Sequence, residues 1–316
     1  MKKENTICSA FWHIASVRSD GNVHACCRFK YPIAKFDKNL SNVLTQPGYQ
    51  ELREKSSQGI EIDGCKKCYM EEKLGKKSYR QEYNELYDTE TIDLKFVDIA
   101  FDNICNLACD GCWGEFSNTW AEKLDPGQSK KTYTVQIKED IQEIPDSLER
   151  IWFLGGEPLQ TNRHFQTLKK IKNIDKVSVQ YNTNGSFLLK DEWIEILDQA
   201  KKVEISLSVD GYGELNETVR ANSKWADILN FVDQIRSLGY VLKIHTVIHK
   251  NNWFGIKDIK AFIEKEKLEW TTNILTYPEK LQITKLNREE KEKFKGYIEE
   301  CQIPNQQFIL DFMYDE

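Results

Sequence analysis

Cys105-Asn106-Leu107-Ala108-Cys109-Asp110-Gly111-Cys112 places three thiols within eight residues, spaced C-x3-C-x2-C. The stretch follows Leu94 to Ile104 (LKFVDIAFDNI), an apolar run that predicts a buried strand, so the thiols fall in the loop at its end. Soft thiolates gathered this closely suit zinc or an iron–sulfur cluster. A four-iron cluster ordinarily takes four cysteines, so three would leave one iron without a protein ligand. An open coordination position marks a reactive metal site, as it does for zinc.

The rest of the composition narrows the class. The chain has 316 residues, room for one large α/β domain or for one such domain and a small one. The net charge of −6 carries no global basic field, which argues against long nucleic acids as partners. No apolar run approaches the roughly 18 residues a membrane span needs. Lys2 and Lys3 precede Ile7 to Val17, but Cys8, His13 and Ser16 interrupt that run and no cleavage site follows, so a signal peptide is not expected. Nine cysteines without an export signal favour metal ligation over disulfides and a cytoplasmic location.

Five of those cysteines, Cys8, Cys26, Cys27, Cys65 and Cys68, lie in the first 88 residues. The segment Phe11 to Cys27 (FWHIASVRSDGNVHACC) alternates as a hairpin with its turn at Ser19-Asp20-Gly21-Asn22, which would bring Cys8 and Cys26 side by side. Gly48 to Glu54 predicts a short helix, and Cys65-Lys66-Lys67-Cys68 opens a helical stretch from Tyr69 to about Tyr87. A hairpin pair plus a C-x2-C makes four thiolates, enough for a structural zinc or for a fully ligated [4Fe–4S] cluster. Cys8, Cys26, Cys65 and Cys68 are the expected ligands, with Cys27 as the replacement for Cys26 if the hairpin register slips.

From about Leu94 the patterns alternate strand and helix, the signature of a parallel α/β sheet. Strands are expected at Leu94–Ile104, Arg150–Leu154, Lys176–Tyr181, Val203–Val209, Val241–Ile248 and Trp270–Leu275. Helices are expected after a cap at Thr161 or Asn162, then at Asp191–Ala200, Asn222–Leu238, Ile256–Glu264 and Arg288–Cys301, with a variable loop at Asp125-Pro126-Gly127. Six such units with right-handed crossovers give an open, partial (β/α)6 barrel. The expected division is a Cys-rich module over 1–90, the partial barrel over 91–285, and a C-terminal helix and tail over 286–316.

Chemistry in barrels of this kind gathers at the C-terminal strand ends. Leu154 is followed by Gly155-Gly156-Glu157-Pro158, whose glycines allow close approach to backbone groups. The third strand ends in Tyr181-Asn182-Thr183-Asn184-Gly185. The fourth places Ser206, Ser208 and Asp210 on one face by period-two alternation, where buried polar groups need partners. Arg220 follows it. Val247 offers an apolar contact on the fifth strand, and His245 and His249 share its face. Cys301 reads as a small buried hydrophobe.

In this order, the Cys triplet, the Gly-Gly-Glu-Pro turn, the Asn-Gly strand end and the Ser/Asp strand resemble the radical S-adenosylmethionine (SAM) enzymes. The resemblance implies that Cys105, Cys109 and Cys112 hold a catalytic [4Fe–4S] cluster whose fourth iron is chelated by the amino and carboxylate groups of SAM. One electron then splits SAM to a 5′-deoxyadenosyl radical, which takes a hydrogen atom from substrate. It further implies that Gly155, Gly156, Glu157 and Pro158 hold the SAM amino group. Asn184 would contact the ribose or carboxylate, Ser206, Ser208 and Asp210 the ribose hydroxyls, Arg220 the carboxylate and Val247 or Ile248 the adenine. The family carries an aromatic residue just before the third cysteine; here that place is Gly111 and the neighbouring aromatic is Trp113. The C-x12-G-x4-C element followed by C-x2-C resembles the auxiliary-cluster "twitch" module, the shortened relative of the SPASM extension. It usually follows the barrel and here precedes it. The expected function is oxidation or modification of a peptide or small metabolite, with an electron donor such as flavodoxin or ferredoxin. The alternatives are a non-catalytic iron–sulfur scaffold and an enzyme whose N-terminal module holds structural zinc.

Overall fold

The computed structural model describes residues 6–124, 126–127 and 130–314. In chain order the first elements are α1 (Ala10–His13), β1 (Ile14–Val17), β2 (Asn22–His24), β3 (Ala34–Lys35), α2 (Pro47–Ser57), α3 (Lys66–Lys73), α4 (Tyr79–Leu86) and β4 (Phe96–Ala100). There follow β5 (Ala108–Cys109), α5 (Asn118–Leu124), β6 (Arg150–Leu154), α6 (Arg163–Leu168), β7 (Ser178–Thr183), α7 (Asp191–Leu197) and β8 (Lys202–Ser208). The chain closes with α8 (Glu214–Val219), β9 (Arg220–Ala221), α9 (Trp225–Ser237), β10 (Val241–Ile248), α10 (Ile256–Glu266), β11 (Glu269–Ile274), α11 (Arg288–Cys301) and α12 (Gln306–Tyr314). The fold is mixed α/β, built on parallel strand pairs with helical crossovers. Contacts group it into two compact units.

The first unit comprises Met1–Asn103, Val135–Gln180 and Asp191–Val203. Its strands run in the order β7–β6–β4–β1–β2–β3. β1, β4 and β6 pair in parallel, with Ser16 opposite Asp98 and Asp98 opposite Trp152. The N-terminal module is therefore continuous with the sheet: β1 adds a parallel strand beside β4, and β2 and β3 extend it antiparallel. Val97, Ile99, Ile151 and Phe153 are fully buried. Burying each such side chain contributes about 2 kcal/mol. Along β6 the alternate positions Arg150, Trp152 and Leu154 are only half-buried.

The second unit comprises Ile104–Thr134, Tyr181–Lys190 and Glu204–Glu316. Here β8, β10 and β11 pair in parallel, and the short β5 and β9 pair antiparallel. Ile205, Leu207 and Ile244 point into the apolar side, packed with Ile228 and Phe231 of α9 in the same core. The alternate positions Ser206, Ser208, Lys243, His245 and Val247 are half-buried. Register sets Ser208 beside His245 and His245 beside Thr271, so this face of the sheet is polar.

Several expectations are corrected. The strand expected over Leu94–Ile104 is only Phe96–Ala100. Beyond Ala100 the backbone leaves the ladder: Asn103 N–H donates to Val135 O at 3.0 Å, and Gly156 N–H to Asp102 O at 3.0 Å. The hairpin turns where expected, with Gly21 at φ +75°, but residues Ala10–His13 coil into one helical turn, so Cys8 is not a strand neighbour of Cys26. The single helix expected from Tyr69 to Tyr87 is two. Gly75, at φ +74°, ends the first, and a Ser78–Gln81 capping box starts the second. The helix expected from Asn222 begins at Trp225, because Asn222 sits at φ +76° directly after β9. The third strand lies two residues later than expected, at Ser178–Thr183. Helices α8 and α12 were not anticipated. Of the loop at Asp125-Pro126-Gly127, Asp125 lies outside the described residues.

Candidate functional site

The Cys triplet sits in the second unit, on a loop that is clasped rather than free. Cys109 lies opposite Arg220 and Ala108 opposite Ala221 in the β5–β9 pair, and Asp110 N–H donates to Val219 O at 2.8 Å. Behind the loop, Ser117 Oγ donates to Leu107 O at 2.7 Å, and Asn118 Oδ1 accepts from Cys105 N–H at 3.2 Å. Thr119 Oγ1 donates to Cys105 O. Asn184 turns its amide onto the same loop, donating to Asn106 Oδ1 at 2.9 Å and lying 3.8 Å from Cys105 Sγ. Gly111 packs on Leu275: a Cβ there would come within 3.0 Å of a Leu275 methyl. A side chain at the position before the third cysteine would have to displace that methyl. Trp113 instead meets Tyr277 edge-on, ring centroids 5.2 Å apart, and Phe116 at 4.8 Å.

The electrostatics of the triplet are those of thiols held out of water. Burial and then the neighbouring Cys109 and Cys105 push the Cys112 thiol up to about 12. Burial also raises Cys109, against the pull of Arg220. A bound metal cluster would compensate the thiolate charge that burial disfavours at Cys109 and Cys112, so the donor set fits one. Arg220 is the charge built beside them. Burial opposes its ionisation, but Cys109, Asp210 and Cys105 outweigh that and raise it. Its Nη1 donates to Asp210 Oδ2 at 2.6 Å, while Nε is buried without a protein partner. A buried donor left unpaired is costly, and an anionic ligand group would satisfy it.

Asp210 organises the strand ends of the second unit. Its Oδ1 accepts from Val247 N–H at 2.8 Å, and its own N–H donates to Asn216 Oδ1 at 2.9 Å. Asn252, which the sequence reading missed, donates from one amide to Asp210 O at 2.9 Å and to Val247 O at 2.8 Å. The paired Asn251-Asn252 just after a predicted strand was the available signal. Asn251 donates to Asp110 Oδ2 at 2.8 Å, tying the Cys loop to the same corner. Val247 is half-buried and committed through its N–H, while Ser206 and Ser208 remain half-buried on the polar face. His245 pairs with Thr271 Oγ1 at 3.0 Å. His249 is not on that strand face; it is buried past the strand end, where it accepts from Asn251 N–H at 3.2 Å. Cys301 is buried in α11.

In the first unit, Gly155 adopts φ +126° and its Cα lies where a Cβ would meet Asp102 O at 2.8 Å. Glu157 is buried, and its Oε1 accepts from Leu159 N–H at 3.0 Å across the turn that Pro158 opens. The same unit holds the second set of thiols. Cys8, Cys26, Cys65 and Cys68 line one pocket together with Phe11, Phe29, Arg28, Gly64, Arg80 and Tyr83; Cys27 does not line it. Burial, then Cys65, raises the Cys8 thiol well above its usual range. Burial, then Cys68, raises Cys65 to about 12. Among the described residues no group of three or more His, Cys, Asp or Glu is spaced to hold a single metal ion. Cys27 is hydrogen-bonded with Tyr83 and feels Asp98. No helix among the described residues is long and apolar enough to cross a membrane.

Residues 8–69 match the SPASM family, an iron–sulfur cluster-binding domain. An S-adenosylmethionine-dependent nucleotide dehydratase from Flammeovirga pacifica is 30% identical over 171 residues, 52% of this chain and 57% of that protein. A GTP 3′,8-cyclase from Alkaliphilus oremlandii (strain OhILAs) is 26% identical over 37% of this chain and 35% of that protein. The chain thus spans little more than half the length of the first of these relatives and less of the second. Among solved structures, anSMEcpe with bound AdoMet aligns at TM-score 0.47 and 16% identity, covering 65% of this chain and 57% of that one. The SPASM match carries an auxiliary iron–sulfur cluster into the N-terminal module. The Radical SAM superfamily matches residues 99–263, more than half of the sequence, and the chain belongs to that superfamily, with a [4Fe–4S] cluster and S-adenosylmethionine as its cofactors.

Proposed function

We propose that this protein removes a hydrogen atom from a polar small molecule or a peptide and oxidises or otherwise modifies it. The observation that carries the reading is the Cys105–Cys112 loop clasped by the Arg220 strand, with the guanidinium fixed by Asp210 and one buried N–H left for a ligand. Cys105, Cys109 and Cys112 would hold the catalytic cluster, and Arg220 would receive the carboxylate of SAM. Asn184 fixes the loop, while Ser206 and Ser208 remain for ribose hydroxyls. Gly155, Gly156, Glu157 and Pro158 would hold the amino group, Val247 the adenine, and Trp113 would close the loop side. When bound, the cluster and SAM supply one-electron cleavage and a radical able to take hydrogen from carbon; the protein supplies position and exclusion of water.

In the N-terminal module, Cys8, Cys26, Cys65 and Cys68 would hold the auxiliary cluster. Four ligands leave it no open iron, which supports a role as electron acceptor over substrate anchor. That favours oxidation or bond formation over redox-neutral change. An electron donor such as flavodoxin or ferredoxin would supply the first electron. The polar face of Ser208, His245 and Thr271 and the nucleotide chemistry named for two relatives support a nucleotide as the first substrate class to try. The test is 5′-deoxyadenosine release from SAM by anaerobically reconstituted protein under dithionite. Release by wild type and none after Cys105, Cys109 and Cys112 are replaced by Ala supports the reading. Binding of SAM without any release overturns it in favour of a cluster scaffold.

A further inference from the structure

Asp98 is a buried carboxylate that the functions above do not use. It lies at the centre of β4 with no exposed surface. Ser16 Oγ donates to Oδ1, whereas Oδ2 is buried without any hydrogen-bond partner. A charged carboxylate left in that condition is costly, and the cost is relieved by a proton.

Its surroundings connect it to the N-terminal thiols, all within the first unit. Tyr83 lines the pocket of the four cysteines and interacts electrostatically with Asp98 and Cys26. Tyr49 of α2 interacts with both Cys26 and Asp98, and its hydroxyl donates to Ile14 O at 3.0 Å. Cys27 feels Asp98, Arg28 and Arg18 and is hydrogen-bonded with Tyr83. From the strands, Ser16 and then His24 continue the row on one side and Trp152 on the other. Arg18 acts on the carboxylate, and it is partly spent on Cys27 O at 2.8 Å.

We propose that Asp98 takes up one proton, at its unpartnered Oδ2, when the auxiliary cluster held by Cys8, Cys26, Cys65 and Cys68 gains one electron; this rests on the electron-acceptor reading of that cluster. The electron comes from the substrate radical in turnover, or from dithionite in the test, and the proton from substrate or solvent. One O–H bond forms, and the net charge of the buried region is unchanged. An added negative charge in a low-dielectric interior raises the proton affinity of every nearby acid, and the acid already closest to neutrality responds. Burial pushes the Asp98 carboxyl up to about 6, against Arg18 and the Ser16 hydrogen bond. Its neighbours are out of range: burial and Asp98 push the Cys27 thiol up to about 12, and burial holds Tyr49 and Tyr83 well above their ordinary values. The three stay neutral throughout.

The experiment is an EPR-monitored redox titration of the auxiliary cluster across pH. It uses the full-length chain in the background where Cys105, Cys109 and Cys112 are Ala, so that one cluster is observed. The expected midpoint potential is flat below about pH 6. Above that it falls by about 59 mV per pH unit, a tenfold change in proton activity for a one-electron couple. Asp98→Asn, checked for unchanged iron content and EPR line shape, is expected to remove the slope. Ser16→Ala keeps the carboxylate but withdraws its hydrogen bond, and the slope is expected to persist with its onset at higher pH. A potential independent of pH in the Asp98-containing protein, or a slope unchanged in Asp98→Asn, overturns the proposal while leaving the cluster assignment standing. Absence of iron in this background overturns both, and is distinguished by metal analysis alone.

Discussion

Arg220 and Cys109 face each other across a two-residue antiparallel pair, and the same arginine holds Asp210 at 2.6 Å. One residue therefore ties the Cys loop through its backbone and the end of β8 through its side chain and, through the Asp210 bond to Val247 N–H, reaches the end of β10. Such a hub concentrates cost when it is cut.

Replacing Arg220 by Ala leaves Asp210, 9% exposed at its side chain, as an uncompensated buried charge. Breaking a buried pair from one side costs about 3–5 kcal/mol. Arg220→Lys restores the charge but not the fork, and should recover part of that stability while SAM binding stays at least tenfold weaker. Denaturant unfolding and equilibrium dialysis with SAM measure the two effects separately. A Lys variant that binds SAM like wild type would remove Arg220 from the cofactor site.

The two adjacent cysteines of the module should separate cleanly on metal analysis. Cys26 lines the thiol pocket and Cys27 does not. Cys27→Ala is expected to keep about eight irons per chain after reconstitution, and Cys26→Ala to keep about four. The reverse pattern would exchange their roles. Zinc in place of the second four irons would turn the module into a structural metal site.

Gly155→Ala tests the turn after β6. The residue sits at φ +126°, and a Cβ would lie 2.8 Å from Asp102 O, a backbone atom that cannot swing aside. Strain of this kind costs about 1–3 kcal/mol. The thermal midpoint should fall accordingly, and equal stability of the variant would show that the turn relaxes freely.

Burial lowers the proton affinity of His249, against the pull of Asp210 and Asp110. Its folded pKa is thus below the unfolded value of about 6.5. Below that value the unfolded chain binds more protons than the folded one, so stability falls as pH drops from about 7 to 5 and is fully present above. His249→Asn, which keeps an acceptor for Asn251 N–H, should flatten that part of the stability–pH curve. Guanidinium unfolding at a series of pH values reads the slope; an identical slope in the variant would assign it to other groups.

Where the sequence was legible, the signal was local. Arg150–Leu154, Val241–Ile248 and Arg288–Cys301 were read with their observed ends. Short runs rich in β-branched and aromatic residues mark the two strands, and an Asn287 cap with Glu290 three residues later marks the helix. The first barrel strand was read too long because Phe101 and Ile104 carry its apolar character past Ala100, around Asp102 and Asn103. What ends it is the bonding of Asn103 to Val135, 32 residues on: Asn103 N–H donates to Val135 O, and Val135 N–H donates back to Asn103 Oδ1. Helix α8 and strand β9 were missed for a like reason: Arg220–Ala221 is a strand only because Ala108–Cys109 lies against it.

Sequence alone determined the residue types, their spacing along the chain and the faces set by a period of 2 or 3.6. These were enough for the three-thiol loop, the Gly-Gly-Glu-Pro turn and the α/β alternation. Tertiary structure decided which distant groups meet. It put Cys26 and not Cys27 on the wall of the four-cysteine pocket, set Arg220 against Cys109, and left Asp98 Oδ2 buried without a partner. The physical reason is that periodicity and caps act within a few residues, whereas pairing, burial and charge act through space.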